Sequence, residues 1–252
     1  PVVIRTLDLG ADKMGHRPLA ENEHNPFLGL RSIRLSLRNL DLFRPQLRAI
    51  LRAAVHGDIR VMFPLITTIA ELRQARMLLN VVAEDLAEAG VPHRSDIPVG
   101  MMVEVPAAVV LLERFVREVD FLSIGTNDLT QYTLAVDRSN EYVADLYQSS
   151  DPAVLRLIQQ SVQTADANDT PIAVCGEMGS NPGRALLLLG LGVRNLSVPP
   201  SALPRVKKAI RSVSIEQCRQ ISNRVMSLEA ARDVDLYLLD RLGDLVPELV
   251  YS

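Results

Sequence analysis

Val99-Gly100-Met101-Met102-Val103-Glu104-Val105-Pro106 is the stretch whose reading decides the fold. Five apolar residues in a row suit one buried strand, with no alternation to separate a wet face from a dry one. A carboxylate follows at once, and then Pro106, which suits the first turn of a helix. A buried strand, a reactive side chain at its C-terminal end and a helix start together make one repeat of a parallel α/β fold.

Five more runs of the same kind lie on either side. They are Val2-Val3-Ile4, Ile59 to Phe63 with Pro64 behind it, Phe121 to Ile124, Ile172-Ala173-Val174, and Asn195 to Val198 stopped by Pro199-Pro200. Helical patterns fill the gaps. Arg44 to His56 ends at Gly57, and Ala70 to Ala89 repeats Leu72, Ala75, Leu79, Val82 and Leu86 before Gly90-Val91-Pro92. Pro106 opens a helix to about Glu118. Asp151-Pro152 and Asn181-Pro182 each pair a cap with a first-turn proline, and after Pro204 the chain reads as helix to its end with Ser214 as a cap. Strand-helix alternation with nearly continuous apolar strands means a parallel sheet buried on both faces, either an open doubly wound sheet or a closed barrel. No G-x-G-x-x-G follows a strand, since Gly190-Leu191-Gly192 comes after a helix, which weighs against the dinucleotide-binding type.

The composition narrows the function classes. Of 252 residues, 27 are Lys or Arg and 30 Asp or Glu, a net charge of −3, with 48% hydrophobic and 23% charged residues. That much apolar material excludes intrinsic disorder, and a mildly acidic chain lacks the positive field of a nucleic-acid binder. Cys175 and Cys218 alone cannot make a disulfide framework. No apolar run approaches the ~20 residues of a membrane span, and no signal peptide is visible, so the expected location is the cytoplasm. The chain opens on Pro1 and a strand, a start that reads as a cut through a larger protein.

In a parallel barrel, reactive groups gather at the C-terminal strand ends. Here those ends carry Arg5-Thr6-Leu7-Asp8, Glu104, Gly125-Thr126-Asn127-Asp128 and Cys175-Gly176-Glu177. Glu104 and Asp128 read in two ways: as a hard oxygen site of the kind Mg²⁺ takes, or as caps of the helices that follow them. Arg5, Lys13, Arg31 and Arg138 follow strands or lie in loops that could fold over one rim, where they would grip a small polyanion bearing phosphate and carboxylate. Each taken singly is also an ordinary surface charge. Cys175 reads as a proton donor or nucleophile, or as a small buried hydrophobe. Cys218 reads as packing, His16, His24, His56 and His93 as surface or loop residues, and Arg205, Lys207, Lys208 and Arg211 as a solvated helix face.

Several segments together resemble one family. They are Arg5 to Lys13 (RTLDLGADK), Asn25 to Arg31 (NPFLGLR), Met102 to Pro106 (MVEVP), Ser123 to Arg138 (SIGTNDLTQYTLAVDR) and Cys175 to Met178 (CGEM). The family is Enzyme I of the bacterial sugar phosphotransferase system, the phosphoenolpyruvate–protein phosphotransferases, and the resemblance runs to about Ser214. It implies a TIM-type (β/α)8 barrel of the phosphoenolpyruvate/pyruvate-binding kind, occupying residues 1–252 with only about six of its strands visible. It implies Glu104 and Asp128 as Mg²⁺ ligands, and Arg5, Lys13, Arg31 and Arg138 as holders of phosphate and carboxylate. Asn127 would help bind phosphate, and Cys175 would protonate the enolate carbon as pyruvate forms. The implied partners are the protein's own N-terminal phosphohistidine domain, the small phosphocarrier protein HPr and a second copy of the chain, in sugar uptake or its nitrogen-regulatory counterpart. No nucleic acid and no membrane insertion are expected.

Two departures from the family stand out. The phosphoryl-accepting histidine belongs to an N-terminal domain that has no counterpart here, and none of the four histidines matches its motif. About two barrel strands, one carrying a further substrate arginine, also lack a counterpart, so exposed sheet edges are expected. The alternatives are a domain of the pyruvate phosphate dikinase or phosphoenolpyruvate synthase kind, which share TND-type and CGE-type motifs, and a non-catalytic phosphoenolpyruvate-binding or dimerisation module. The wording from Gln131 to Arg138 favours Enzyme I.

Overall fold

The computed structural model describes residues 1–9 and 25–250. The chain divides into two compact units, Pro1–Val103 with Arg114–Phe121, and Glu104–Glu113 with Leu122–Ser252.

In the first unit the strands are β1 (Val2–Arg5), β2 (Ile59–Phe63) and β3 (Val99–Val103), and the helices α1 (Ser32–Arg38), α2 (Leu40–Ala53) and α3 (Ile69–Glu88). β1 runs parallel to β2 with Arg5 opposite Met62, and β2 runs parallel to β3 with Phe63 opposite Met101. The five residues that opened the sequence reading are all buried, as a strand covered on both faces requires. β1 differs: Val2 is 61% and Val3 47% exposed, the open edge that was expected. The core of this unit is aromatic and aliphatic, with the rings of Phe43 on α2 and Phe63 on β2 meeting edge-on at 6.3 Å. α3 starts on a reciprocal cap, in which Thr68 Oγ1 accepts from the Glu71 N–H and the Glu71 carboxylate accepts from the Thr68 N–H.

Beyond β3 come two short helices, α4 (Pro106–Val110) and α5 (Leu112–Phe115). Then come β4 (Phe121–Gly125), in the second unit from Leu122 on, and, in that unit, α6 (Thr126–Leu134), α7 (Pro152–Asp166), β5 (Ile172–Cys175), α8 (Pro182–Gly190) and β6 (Asn195–Ser197). Three more helices follow, α9 (Leu203–Arg211), α10 (Ile215–Val225) and α11 (Ala231–Leu245). β4 runs parallel to β5 with Gly125 opposite Cys175, and β5 runs parallel to β6 with Cys175 opposite Ser197. The sequence reading of an α/β fold with parallel strands is therefore met in both units, with six strands among the described residues.

The helix caps also match. Asp151 accepts from the Ala153 N–H, Asn181 from the Arg184 N–H, and Ser214 from the Gln217 N–H. Five details differ. The helix expected from Arg44 begins at Leu40 and gives way to a 3-10 turn at Ala54–His56. Gly57 is extended (φ 173°), so it is no left-handed cap. α1 was not foreseen, being only seven residues long. The helix expected from Pro106 to Glu118 breaks at Leu111, after Val109 and Val110, whose β-branched side chains are weak helix formers. The C-terminal helices are interrupted between Val225 and Ala231. α8 and α10 pack so closely that a β-carbon on Gly190 would run into the carbonyl of Cys218.

Candidate functional site

In the first unit, Arg5 closes β1 and Arg31 is the residue from which α1 departs. Between them stands Asp8. Its Oδ2 lies 3.1 Å from Arg5 Nη1, and its Oδ1 accepts from Arg31 Nη2 at 3.2 Å. One carboxylate thus binds two guanidiniums, offsetting their repulsion and fixing their spacing. The Arg31 side chain is 10% exposed and its guanidinium sits 5.5 Å above the Phe27 ring, whereas that of Arg5 is 48% exposed. Sequence reading chose both arginines and gave Asp8 no role, although its place three residues after Arg5 was a usable signal. Lys13, His16 and His24 lie outside the described residues.

The other candidates belong to the second unit. Glu104 follows β3 directly and is 2% exposed; Asp128 sits in the first turn of α6 and is 5% exposed. The capping alternative does not describe them. Val105 and Gly125 occupy the N-cap positions, and neither makes a side-chain cap bond. A buried ionised carboxylate is costly unless paired, hydrogen-bonded or bound to a cation. Two such hard oxygen donors at strand ends fit the demands of Mg²⁺, which takes one or two carboxylates and fills its remaining positions with water and substrate oxygens. Among the described residues no group of three or more His, Cys, Asp and Glu side chains is disposed for a metal.

Cys175 ends β5, half-buried. Its Sγ accepts from the Ser123 hydroxyl at 3.3 Å and donates to the Ile124 carbonyl at 3.5 Å. The loop behind it is built around Gly176, whose φ of 106° and ψ of 179° belong to glycine alone. Thr126 Oγ1 donates to the Cys175 carbonyl at 3.1 Å, and the Glu177 N–H donates to Asn127 Oδ1 at 3.1 Å. The start of α6 after β4 and the loop after β5 are thereby stitched together. Arg138 is exposed, and its N–H donates to the Oε1 of the buried Gln131 at 3.2 Å. His56 is exposed and His93 half-buried, its Nδ1 2.9 Å from the Val91 carbonyl oxygen, in keeping with their reading as surface or loop residues. Cys218 is 1% exposed, as expected of packing, and burial pushes its thiol above its ordinary range.

A cavity of about 280 Å³ opens beside Asn127 and Glu177, with Tyr147, Arg184 and Asp235 in its wall. Arg184 is held there by both oxygens of Asp235, and Asp235 also accepts from the Ser150 hydroxyl at 2.6 Å. A larger hollow of about 580 Å³ in the first unit, lined by Leu30, Arg34 and Glu71, holds none of the expected ligands. Tyr147 and Asp235 escaped sequence reading, because neither stands at a strand end.

Residues 1–215 match the family model described as PEP-utilising enzyme, PEP-binding domain. Proteins described as phosphoenolpyruvate-protein phosphotransferase are similar throughout. Those of Bacillus sp. (strain S) and Geobacillus stearothermophilus are each 46% identical over 234 residues, 93% of this chain and 40% of the relative. That of Priestia megaterium is 44% identical over 234 residues. The chain thus spans about 40% of the length of these curated relatives. A solved citrate lyase from Burkholderia xenovorans LB400 overlays with a TM-score of 0.49 at 16% identity, covering 80% of this chain and 68% of that one, a likeness too low to carry the fold.

Proposed function

Because the chain belongs to the family of phosphoenolpyruvate-binding domains of PEP-utilising enzymes, we propose that it binds phosphoenolpyruvate with Mg²⁺ and, within the whole protein, yields the phosphoryl group to a histidine and releases pyruvate. The acceptor histidine would sit on an N-terminal domain and pass the group on to HPr, for sugar uptake or nitrogen regulation, in a cytoplasmic homodimer. The matching fold is a TIM-type barrel to which this chain contributes six strands.

Arg5, Arg31, Lys13 and Arg138 supply the positive charge that a trianionic substrate needs, and Asn127 offers its side-chain amide to the phosphate. Glu104 and Asp128 would hold Mg²⁺, which when bound neutralises charge on phosphate and carboxylate. The P–O bond of phosphoenolpyruvate breaks as the acceptor nitrogen takes the phosphoryl group. The electron pair left on the enol oxygen makes the methylene carbon basic, and that carbon takes the thiol proton of Cys175. Ser123, donating to the sulfur, stabilises the thiolate left behind.

The bond from the Glu177 N–H to Asn127 supports this reading most, because it brings a phosphate ligand and the proton donor onto one stitched pair of loops. The test is calorimetric titration of phosphoenolpyruvate into the chain with Mg²⁺ and with a chelator. Binding that needs the metal is the expected result; binding indifferent to it, or none with it, overturns the proposal.

A further inference from the structure

Arg34 stands in the first turn of α1, three residues after Arg31. Its N–H donates to the Arg31 carbonyl at 3.1 Å. Its side chain turns back on the segment before Arg31, where Nη1 donates to the Leu28 carbonyl at 3.0 Å and to the Gly29 carbonyl at 3.4 Å. The Gly29 carbonyl also accepts from the Arg31 N–H at 3.1 Å. One residue therefore holds the chain around Arg31 at three carbonyls, those of Leu28, Gly29 and Arg31 itself.

That segment has little else to fix it. Leu28 closes a 3-10 turn, Pro26–Leu28, in which no residue is buried and which the Asn25 side chain does not cap. So little apolar burial leaves a turn prone to local opening. Yet the turn carries Phe27, over whose ring the Arg31 guanidinium sits at 5.5 Å. A cation is drawn to wherever the ring face is held, so the turn's place bears on the place of the guanidinium.

Arg34 is anchored in its turn. The Thr67 N–H, the Thr67 hydroxyl and the Thr68 N–H all donate to Glu71 Oε2, at 2.9, 2.7 and 2.8 Å. The other oxygen, Oε1, lies 3.9 Å from Arg34 Nε.

We propose that Arg34 is a positioning residue of the phosphoenolpyruvate site, tying the Pro26–Leu28 turn to the start of α3 through Glu71 and so setting the Phe27 ring and the Arg31 guanidinium in place before the ligand arrives. The inference rests on the phosphoenolpyruvate reading of the site. Arginine suits the task because its planar fork reaches two carbonyls with one nitrogen while another faces the carboxylate, a span that the single ammonium of lysine does not cover.

The test has two readouts. Phosphoenolpyruvate with Mg²⁺ is titrated into the parent chain and into Arg34→Met, Arg34→Lys, Arg31→Ala and the variant combining Arg34→Met with Arg31→Ala. Arg38→Met, which removes a cation from the same helix and the same hollow, is the control. Amide exchange across residues 26–31 is followed in the ligand-free parent, Arg34→Met and Arg34→Lys. Arg34→Met should weaken binding about tenfold, the worth of a hydrogen bond from a charged group, and should speed the exchange. Arg34→Lys should restore less than half of the lost affinity on a logarithmic scale, and Arg38→Met should stay within about threefold of the parent. The melting temperature of Arg34→Met should fall by no more than about 4 °C. In the Arg31→Ala background Arg34→Met should cost nothing further, whereas a merely structural arginine would cost as much there as in the parent. Parental affinity in Arg34→Met, equal losses in the two backgrounds, or full recovery with lysine overturns the positioning role and leaves the site reading intact. Where Arg31→Ala abolishes binding, or Arg34→Met does not fold, exchange decides: a rate in the remaining Arg34 variant equal to the parent's overturns the role. Failure of the parent chain to bind at all sinks both.

Discussion

A β-carbon on Gly176 would lie 2.5 Å from Oγ1 of Thr126, at the point where the two loops of the site are stitched together. It would also lie 3.1 Å from Asn127 Oδ1. The backbone itself, at φ 106°, disfavours any side chain there by about 1–3 kcal/mol. Gly176→Ala should therefore push Asn127 away from the Glu177 N–H and weaken phosphoenolpyruvate binding more than tenfold, with a lower melting temperature. Calorimetry and thermal melts on the same preparation check this; an alanine variant of parental affinity would show that the stitching is dispensable.

Asp8 offers a second prediction. Its removal leaves the nearly buried Arg31 without this partner, while the half-exposed Arg5 stays hydrated. Asp8→Ala should cost about 2 kcal/mol in urea unfolding, and Arg5→Ala less than about 1 kcal/mol. Equal costs for the two would mean that burial does not set the value of this bridge.

The assignment of Cys175 separates binding from chemistry. In the whole protein Cys175→Ala should slow pyruvate formation by about 10²-fold or more, the typical worth of a placed acid. The affinity of this chain for phosphoenolpyruvate should change less than about threefold. A large loss of affinity with normal turnover would assign the thiol to binding and not to proton transfer.

Cys218 predicts an alkaline limb of the stability curve. Burial raises its thiol in the folded protein, so the unfolded chain loses its proton first. The contribution to stability is full below the ordinary thiol range near about 8.5 and is lost as pH rises towards the folded value. The urea midpoint should fall as pH rises above about 8.5, and Cys218→Ala should flatten that fall. A midpoint falling as steeply in the alanine variant would place the sensitivity elsewhere.

Strand β3 and the caps Asp151, Asn181 and Ser214 were legible because each follows from local chemistry: an apolar run, or an oxygen placed before a helix. So were the strand-end positions of Arg5, Glu104 and Cys175, since each stands where an apolar run stops. The break at Leu111 and the early start of α2 were not, because periodicity does not fix helix boundaries. Asp8, Tyr147 and Asp235 were missed for a different reason. Each takes its meaning from a partner in space: two guanidiniums for Asp8, the Asn127 carbonyl for Tyr147, Ser150 and Arg184 for Asp235. Strand and helix punctuation says nothing about such meetings. Lys13 lies outside the described residues.

Asp235 sits on α11, beyond residue 215 where the match to the family model ends, yet it clamps Ser150 and Arg184 beside the cavity. The recognisable domain and the cooperative unit therefore have different borders. A protein trimmed to the familiar part would keep every signature residue and still shed the acid that braces the wall next to Asn127. Its weakness would surface as a slackened ligand grip with no signature residue to blame.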